Sequence, residues 1–341
     1  MTAITLKYLA EKLNLSTATV SKALRNYRDV HPETLKRVQE LAKELNFRPS
    51  SLAANLRLRE SKTIGLIIPE VVHHFFSSVV NGIVEAAEKE RYSVIIMQSG
   101  ESYETEKKQI EILLSKQVDG ILITLSNETT DFSHLYQALD ADVALVLFDK
   151  VNEDINCSKV TIDDVEAAYK ATEHLIKSGC KNIIHIRGPQ HPLNANERCA
   201  GYRKALEDNG LPFREDYIYT CKRVSYEEGY EFAGRILTEH PEADGLFAVT
   251  DLVAVGALSR FRDENVAVPE RISVMGFSNW FMSSAVTPTL STIDQPGYDI
   301  GKRAFEQLYK EMQLIRKHQP YTYESILLPT RVIARKSTKA I

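Results

Sequence analysis

The sequence predicts an α/β protein in which an all-α headpiece with a helix-turn-helix precedes a core of two lobes, each built on a doubly wound parallel sheet. Two features predict this fold. Two short helical patterns separated by a break open the chain, and strongly apolar runs alternate with amphipathic helical patterns from Thr63 onward. At 341 residues the chain is long enough for two or three domains.

The headpiece begins with a helix-turn-helix pattern over residues 4–26. Asn14 and Leu15 interrupt the helical spacing of apolar residues, and Ser16 is a favourable N-cap for the second helix. Both helices are therefore expected to bury one side against a common core. The apolar residues on that side are Leu6, Leu9, Ala10, Leu13, Val20, Ala23 and Leu24.

The outer side of the second helix carries Thr17, Ala18, Ser21 and Lys22. Small and hydroxyl side chains allow a helix to approach the major groove of DNA closely, and one long cation can reach a guanine edge or a phosphate. The pattern therefore indicates a DNA-reading helix. A small helical bundle with ordinary polar faces would show the same pattern, and it is the alternative interpretation of this stretch.

A third helix completes the headpiece. Pro32 at its first position and Glu33 beside the positive end of the helix dipole both favour it, and Pro49 ends the headpiece. Residues 50–61 then form a linker of high helical propensity that is too short to be a stable helix alone in water. Two interpretations of the linker stay open, a tether and a segment that folds against a partner.

Charge is distributed unevenly along the chain. Residues 1–60 contain eleven lysines and arginines against six acidic residues, a net charge of +5, so the other residues carry −9 of the overall −4. A basic head on an acidic body suits a protein whose N-terminus meets phosphate. Solvated charged faces could also produce this division.

The apolar runs of the core predict eight strands with helices between them. Mostly continuous apolar strands that alternate with helices indicate parallel sheets covered on both faces. Eight strands are too many for one comfortable sheet, so we expect two lobes that meet near residue 160, with ligands at the carboxyl ends of the strands. The predicted strands are 63–69, 92–97, 119–125, 143–149, 159–163, 181–189, 244–251 and 272–278.

The sequence offers little support for catalysis, metal binding or a membrane. It lacks the phosphate-binding, dinucleotide-binding, serine-hydrolase and zinc-protease motifs, and its cysteines and histidines have no metal-ligand spacing. We therefore expect no catalytic residues, metal or cofactor. No apolar run approaches the roughly 18 residues of a membrane span, so a cytoplasmic protein without a membrane partner is expected.

Several stretches in order along the chain resemble the LacI/GalR family of bacterial transcription regulators. They include TLKYLAEKLNLSTATVSKALRN, ETLKRVQELAKELNFRPSSLAANLR, KTIGLIIPEV, ERCAGYRKAL, VTDLVAVGAL and LSTIDQPGYDIGK. The resemblance implies a helix-turn-helix headpiece over 1–49, a hinge helix over 50–61 and a periplasmic-binding-protein-like core over 62–341. The expected lobes are about 62–160 with 293–322, and about 161–292 with 323–337.

The resemblance also implies which residues meet DNA. Thr17, Ala18 and Lys22 would face base edges, and Leu56 of the hinge would wedge between base steps in the minor groove. His31 stands where a serine commonly caps the third helix, and Phe47 where a tyrosine often reaches phosphate, so a backbone contact is expected to be missing. The other expected DNA contacts are Ser16, Thr19, Ser21, Arg25, Asn26, Ser51, Ala53 and Asn55.

By the same resemblance, a small-molecule effector binds between the lobes. Trp280 would supply the aromatic ring that Val224 cannot, although a packing role at a lobe or dimer interface is equally open. Arg198 suits hydroxyls or a carboxylate through its rigid fork of donors. The effector is expected to be a sugar, a sugar phosphate or an oligosaccharide fragment. The expected effector contacts are Phe75, Phe76, Asp149, Arg198, Asp251, Ser278, Asn279 and Trp280.

Together these features predict a sequence-specific repressor of carbohydrate-related genes in the bacterial cytoplasm, associated with the nucleoid. It would bind palindromic double-stranded operator DNA as a homodimer, and effector binding would change DNA affinity allosterically. Two other classes are weaker. A solute-binding protein would explain only the core, and an α/β enzyme with an incidental helical N-terminus would require a catalytic motif.

Overall fold

The chain divides into two compact units, residues 1–61 and 62–341. Each unit has its own hydrophobic core. The structure is a computed structural model that describes residues 5–24, 26–27, 29–45, 47 and 60–341.

In the first unit, the two helices of the predicted helix-turn-helix form where their capping residues place them. The side chain of Thr5 caps α1 by accepting a hydrogen bond from the Tyr8 N–H at 3.2 Å, and Asn14 ends it in the left-handed conformation at φ 53°. The Ser16 hydroxyl caps α2 by accepting from the Thr19 N–H at 3.0 Å. The helices are α1 (Leu6–Leu13), α2 (Thr17–Leu24) and α3 (Pro32–Glu44).

The three helices bury a single apolar core. Leu9, Val20, Ala23 and Val38 are each fully buried in it, and Leu24 is partly buried beside them. This confirms the apolar side predicted from the helical spacing. The third helix begins without a side-chain cap, because His31 at its N-cap position makes no capping hydrogen bond.

The second unit contains two six-stranded sheets, and the fold class predicted from the sequence is confirmed. The first sheet has the order β11-β5-β4-β3-β1-β2 and is entirely parallel. The second has the order β12-β10-β9-β8-β6-β7 and is parallel except for β12. The strands are β1 (Thr63–Ile68), β2 (Ser93–Gln98), β3 (Gly120–Ile123), β4 (Ala144–Phe148), β5 (Ser158–Ile162), β6 (Ile183–Arg187), β7 (Ile218–Thr220), β8 (Gly245–Ala248), β9 (Ser273–Phe277), β10 (Ser291–Asp294), β11 (Ser325–Leu328) and β12 (Arg331–Ile333).

Helices cover the sheets, as expected for parallel strands that are buried on both faces. Three pairs of helices pack closely, namely α4 with α12, α7 with α8, and α9 with α10. The helices of this unit are α4 (His74–Lys89), α5 (Tyr103–Ser115), α6 (Ser133–Asp140), α7 (Asp164–Lys177), α8 (Leu193–Asp208), α9 (Tyr226–Glu239), α10 (Asp251–Asp263), α11 (Phe281–Ala285) and α12 (Gly297–Arg316).

The chain passes between the two sheets three times, after β5, after β10 and after β11. This differs from the lobe boundaries expected from the sequence at the C-terminal end. Residues 325–328 were expected in the second lobe, but β11 pairs with β5 and belongs to the first. Residues 293–294 belong to the second lobe, because β10 pairs with β9 there. The second lobe begins after β5, which ends at Ile162.

Glycines set the distance between α4 and α12. A Cβ atom at Gly82 would lie 2.1 Å from the Tyr298 carbonyl oxygen, and one at Gly301 would lie 2.0 Å from the Val79 carbonyl oxygen. Backbone cannot yield as a flexible side chain can, so the two helices approach this closely only because both positions lack a side chain.

We expect Gly82→Ala to lower the free energy of unfolding by about 1–3 kcal/mol, because the added methyl group must push the two helices apart. The control is Gly234→Ala in α9, where the added Cβ meets only side-chain atoms of Arg260. That change should be neutral or stabilise by up to about 1 kcal/mol, since alanine favours helix over glycine. Urea unfolding measures both, and equal effects of the two substitutions would contradict the packing role of Gly82.

Candidate functional site

The outer side of α2 is exposed and is built from small polar residues. Ser16, Thr17, Ala18 and Lys22 are exposed on it, while Val20 and its buried neighbours hold the opposite side of the helix in the core. Only Lys22 extends far from the helix axis. This side of α2 is therefore a surface that can enter a groove with one reaching cation.

Three of the predicted contacts form hydrogen bonds within the headpiece, namely Ser16, Thr19 and Asn26. The Ser16 and Thr19 hydroxyl oxygens lie 2.8 Å apart. The Asn26 side-chain oxygen accepts a hydrogen bond from Gln39 Nε2 at 2.6 Å. Ser21 is partly buried. The remaining predicted contacts, Arg25, Ser51, Ala53, Asn55 and Leu56, lie outside the described residues, and all these contacts stay predictions.

Lys22 forms an ion pair with Asp29, and both side chains are more than half exposed. Pairing raises the pKa of Lys22, chiefly through its hydrogen bond to Asp29, and the same hydrogen bond lowers the pKa of Asp29. An ion pair this exposed is weak. Lys22 can therefore exchange Asp29 for a phosphate or a base edge at little cost.

The carboxyl ends of both sheets meet around a cavity of about 130 Å³ between the lobes. The first lobe contributes two aromatic side chains from the start of α4 and a carboxylate after β4. The second contributes residues after β6, β8 and β9, the positions at which ligands bind in doubly wound folds. The predicted residues that line the cavity are Phe75, Phe76, Asp149, Arg198, Asp251, Ser278 and Trp280.

Aromatic rings form much of the cavity wall. Phe75 and Phe76 pack edge to face with their centroids 5.2 Å apart. Trp280 of the second lobe lies 5.9 Å from the ring of His73 in the first lobe. Trp280 thus faces the cavity and touches the other lobe, while Val224 lines the same wall.

Arg198 is nearly fully buried and is fixed by three contacts. Its Nε donates to Asp164 at 2.6 Å, its Nη1 donates to the Val249 carbonyl at 3.0 Å, and the guanidinium lies 3.7 Å from the centre of the Phe277 ring. Burial raises the pKa of Asp164 to about 6, while Arg198 opposes the rise. The remaining N–H bonds of Arg198 have no partner among the described residues and can donate to a ligand.

Asp149 follows β4 and has one oxygen available to a ligand. It adopts the left-handed conformation at φ 58°, which asparagine and aspartate tolerate better than most residues. Gln295 donates to its Oδ1 at 3.0 Å, and Oδ2 accepts no hydrogen bond from a described residue. Burial raises the pKa of Asp149, and the charges of Arg198 and Lys150 oppose the rise.

Asp251 lies in the wall but is occupied by the protein itself. Its carboxylate is fully buried, accepting from the Trp280 backbone N–H at 2.6 Å and from the Thr292 hydroxyl at 2.6 Å. The structure therefore shows a residue that holds Trp280 in place, where the sequence suggested a direct effector contact. Burial raises the pKa of Asp251 to about 7, against the effect of its two hydrogen bonds.

The raised pKa of Asp251 makes folding depend on pH. The folded chain binds the proton of Asp251 more tightly than the unfolded chain does. Protonation of Asp251 therefore stabilises the fold fully below about pH 4, and this contribution is lost as the pH rises to about 7. Asp251→Asn removes this dependence. Between pH 5 and pH 8 the wild type should lose about 3 kcal/mol of its free energy of unfolding relative to the variant. Urea unfolding of both proteins at the two pH values measures this difference. Asp299→Asn, which removes an exposed carboxylate, is the control, and a difference that stays flat with pH would contradict the burial of this charge.

Asn279 does not line this cavity, which corrects its predicted place in the site. Its amide nitrogen donates to Asp294 at 2.8 Å, and its oxygen accepts from Arg335 at 2.8 Å, so it braces the C-terminal segment. Ser278 precedes it with φ 98°, a conformation that L-residues rarely adopt. The unusual turn after β9 directs Trp280 into the wall and Asn279 away from it.

Among the cavity residues that sequence reasoning missed are four polar ones that bear on ligand binding, Glu101, Asn127, Lys150 and Gln295. Lys150 and Gln295 each lie next to a strand end, so their position after an apolar run was the available signal. β10, which ends one residue before Gln295, was not among the predicted strands. Glu101 and Asn127 lie in loops and gave no pattern.

The described residues contain no cluster of histidine, cysteine and carboxylate side chains that could hold a metal ion. Within the same residues, no helix is long and apolar enough to cross a membrane.

Two family models match the chain. Residues 5–50 match bacterial regulatory proteins of the lacI family, and residues 61–336 match the periplasmic binding proteins and sugar binding domain of the LacI family. The match over the headpiece is not expected for a solute-binding protein, and it removes that alternative.

Individual relatives cover nearly the whole chain. Catabolite control protein A of Priestia megaterium is 32% identical over 98% of this chain and 99% of its own. The HTH-type transcriptional repressor CytR of Escherichia coli (strain K12) is 32% identical over 100% and 98%. The crystal structure of the lac repressor dimer bound to operator and the anti-inducer ONPF superposes with a TM-score of 0.85, at 24% identity over 99% of both chains, and supports the fold alone.

Proposed function

Because this chain belongs to the LacI family of bacterial regulatory proteins, we propose that it is a repressor of carbohydrate-related genes, binding a palindromic operator as a homodimer. It is a DNA-binding transcription regulator with a small-molecule effector, and the members of its family are regulators rather than enzymes. The observation that carries the proposal is the exposed outer side of α2 in a headpiece joined to a core with a polar and aromatic cavity.

On DNA, α2 lies in the major groove with Thr17 and Ala18 against base edges. Lys22 exchanges Asp29 for a guanine edge or a phosphate. The hydroxyls and cations around it hold phosphates and fix the register of the headpiece. Residues 50–61 act as a hinge helix whose Leu56 wedges between base steps of the minor groove.

The effector is a sugar or a sugar derivative held between the lobes. Free N–H bonds of Arg198 donate to its oxygens, and Oδ2 of Asp149 accepts from its hydroxyls. The rings of Phe75, Phe76 and Trp280 supply the apolar faces that sugar rings stack on. No cofactor or metal takes part.

Effector binding changes the closure of the two lobes, which the three chain passages between the sheets permit as a hinge. Closure moves the partner subunits relative to each other and orders or melts residues 50–61. Since this couples two sites, operator and effector change each other's affinity by the same factor. The protein acts in the cytoplasm, on the nucleoid.

The test is selection of binding sites from a random pool of double-stranded DNA with the full-length chain. A palindromic sequence should be enriched, and affinity for it should fall steeply with salt because phosphate contacts release counterions. Enrichment of an asymmetric half-site alone would refute the two-fold dimer. No enrichment, with a flat salt response, would refute sequence-specific repression.

A further inference from the structure

One cation of the cavity wall, Lys150, is neutralised by a carboxylate beside it. Its ammonium group lies 2.6 Å from both oxygens of Glu101 and 3.0 Å from the Asn127 side-chain oxygen. The Lys150 side chain is only 9% exposed, so solvent does little to compete for these bonds. Glu101 is fixed in turn, since it accepts from the Asn127 backbone N–H at 2.7 Å.

The other cation of the wall is neutralised in the same way. Arg198 pairs with Asp164, whose side chain is 3% exposed. Among the described residues that line the cavity, Arg198 and Lys150 are the only lysine or arginine side chains. Both positive charges of the wall are therefore paired with carboxylates before a ligand enters.

The other two carboxyl groups of the wall, Asp149 and Asp251, form no ion pair with a described residue. The Oδ2 atom of Asp149 accepts no hydrogen bond from a described residue, and Asp251 accepts only from neutral donors, the Trp280 N–H and the Thr292 hydroxyl. The wall thus carries a net charge of zero or below. An entering phosphate or carboxylate would therefore meet a wall without excess positive charge, whose two cations are already paired with carboxylates.

We infer that the effector is an uncharged polyhydroxy compound, and that the Glu101–Lys150 pair is a specificity determinant that excludes phosphorylated and acidic sugars. This rests on the proposed binding of a sugar derivative in the cavity and narrows its chemical class. A neutral hydroxyl can share the Arg198 N–H bonds and the Asp149 oxygen without disturbing either ion pair. An anion can reach the Lys150 ammonium only by displacing Glu101 from it.

The test substitutes Glu101→Gln, which removes the charge and keeps an oxygen that can accept from the Asn127 N–H. Glu128→Gln is the matched control, because Glu128 is exposed one residue after Asn127 at the cleft mouth and has no bond to Lys150. Trp280 is the only tryptophan of the chain and lines the cavity, so its fluorescence reports this site alone.

The first readout needs no knowledge of the effector. Iodide should quench Trp280 at least twice as efficiently in Glu101→Gln as in the wild type or Glu128→Gln, at constant ionic strength. Acrylamide, which is neutral, should quench all three proteins equally, showing that the fold is unchanged. Inorganic phosphate should bind Glu101→Gln at least tenfold more tightly than the wild type. Equal iodide quenching and equal phosphate affinity in all three proteins would overturn the role of Glu101.

The second readout is calorimetry with matched pairs, ribose with ribose 5-phosphate and glucose with glucose 6-phosphate. The wild type should prefer the neutral member of any pair it binds, and Glu101→Gln should reduce that preference at least tenfold. A wild type that binds the phosphate more tightly would overturn the inference while leaving a sugar-controlled regulator intact. If selection yields no operator, the proposed repressor fails, whatever the charge preference of the cleft.

Discussion

Replacing Arg198 by alanine is expected to lower the free energy of unfolding by about 3–5 kcal/mol, because it leaves the buried carboxylate of Asp164 without its partner. The substitution also removes the support of the Val249 carbonyl and the packing against the Phe277 ring. Effector binding should be lost with it, since the free N–H bonds of Arg198 face the cavity. Replacing Arg198 should therefore affect both the stability of the core and the binding of the effector.

Urea unfolding at pH 8, where Asp164 is ionised, measures the effect most clearly. The control is Arg203→Ala on the same helix, whose exposed ion pair with Glu215 should be worth less than about 1 kcal/mol. Adding Asp164→Asn to Arg198→Ala should restore part of the loss, because the orphaned charge is then removed. A single variant as stable as the Arg203→Ala protein would show that the pair is not buried in solution. Because of this cost, loss of ligand binding in Arg198→Ala does not by itself identify a ligand contact.

Replacing Lys22 by alanine is expected to weaken binding to the selected operator by about tenfold to a hundredfold for each half-site. Lys22 is the one long cation on the outer side of α2, beside the small residues Thr17 and Ala18. If it reads a guanine, the variant should also lose its preference at a single position of the half-site. If it holds a phosphate, binding to all sequences should weaken together, with a smaller salt dependence.

Lys43→Ala is the control for this experiment, since Lys43 is an exposed lysine of the same headpiece on α3. Both variants lose one positive charge, so their non-specific binding should fall similarly. Fluorescence anisotropy with the selected operator and with a shuffled duplex separates the two effects. Equal losses of operator affinity in the two variants would contradict a DNA-reading role for the outer side of α2.

Much of the fold could be predicted from periodicity, because helices that bury one side and strands that bury both leave regular patterns. The headpiece helices and the strands β1 to β6, β8 and β9 follow such patterns. Two of the strands missed by this reasoning, β7 and β10, lack such patterns. β7 has only three residues, and β10 reads Ser-Thr-Ile-Asp. Its Ser291 is buried through hydrogen bonds to the C-terminal segment, and its Thr292 through a hydrogen bond to Asp251. Their burial depends on contacts distant in sequence.

The site could be predicted only in part for the same reason. Strand ends marked Asp149, Asp251 and Ser278, and the structure brings all three to one cavity. The partners that decide their roles come from other elements. Thr292 lies 41 residues from the Asp251 whose oxygen it occupies, and Glu101 lies 49 residues from Lys150. These contacts between residues distant in sequence decide which polar side chain stays free to bind a ligand.

The most direct measurement is the dissociation constant of the selected operator with and without a saturating neutral sugar, chosen because it changes the fluorescence of Trp280. The sugar should change operator affinity, and the operator should change the affinity for the sugar by the same factor, expected to be about 5-fold to 150-fold. A sugar that fills the cavity yet leaves operator affinity unchanged would contradict control of DNA binding from the cleft.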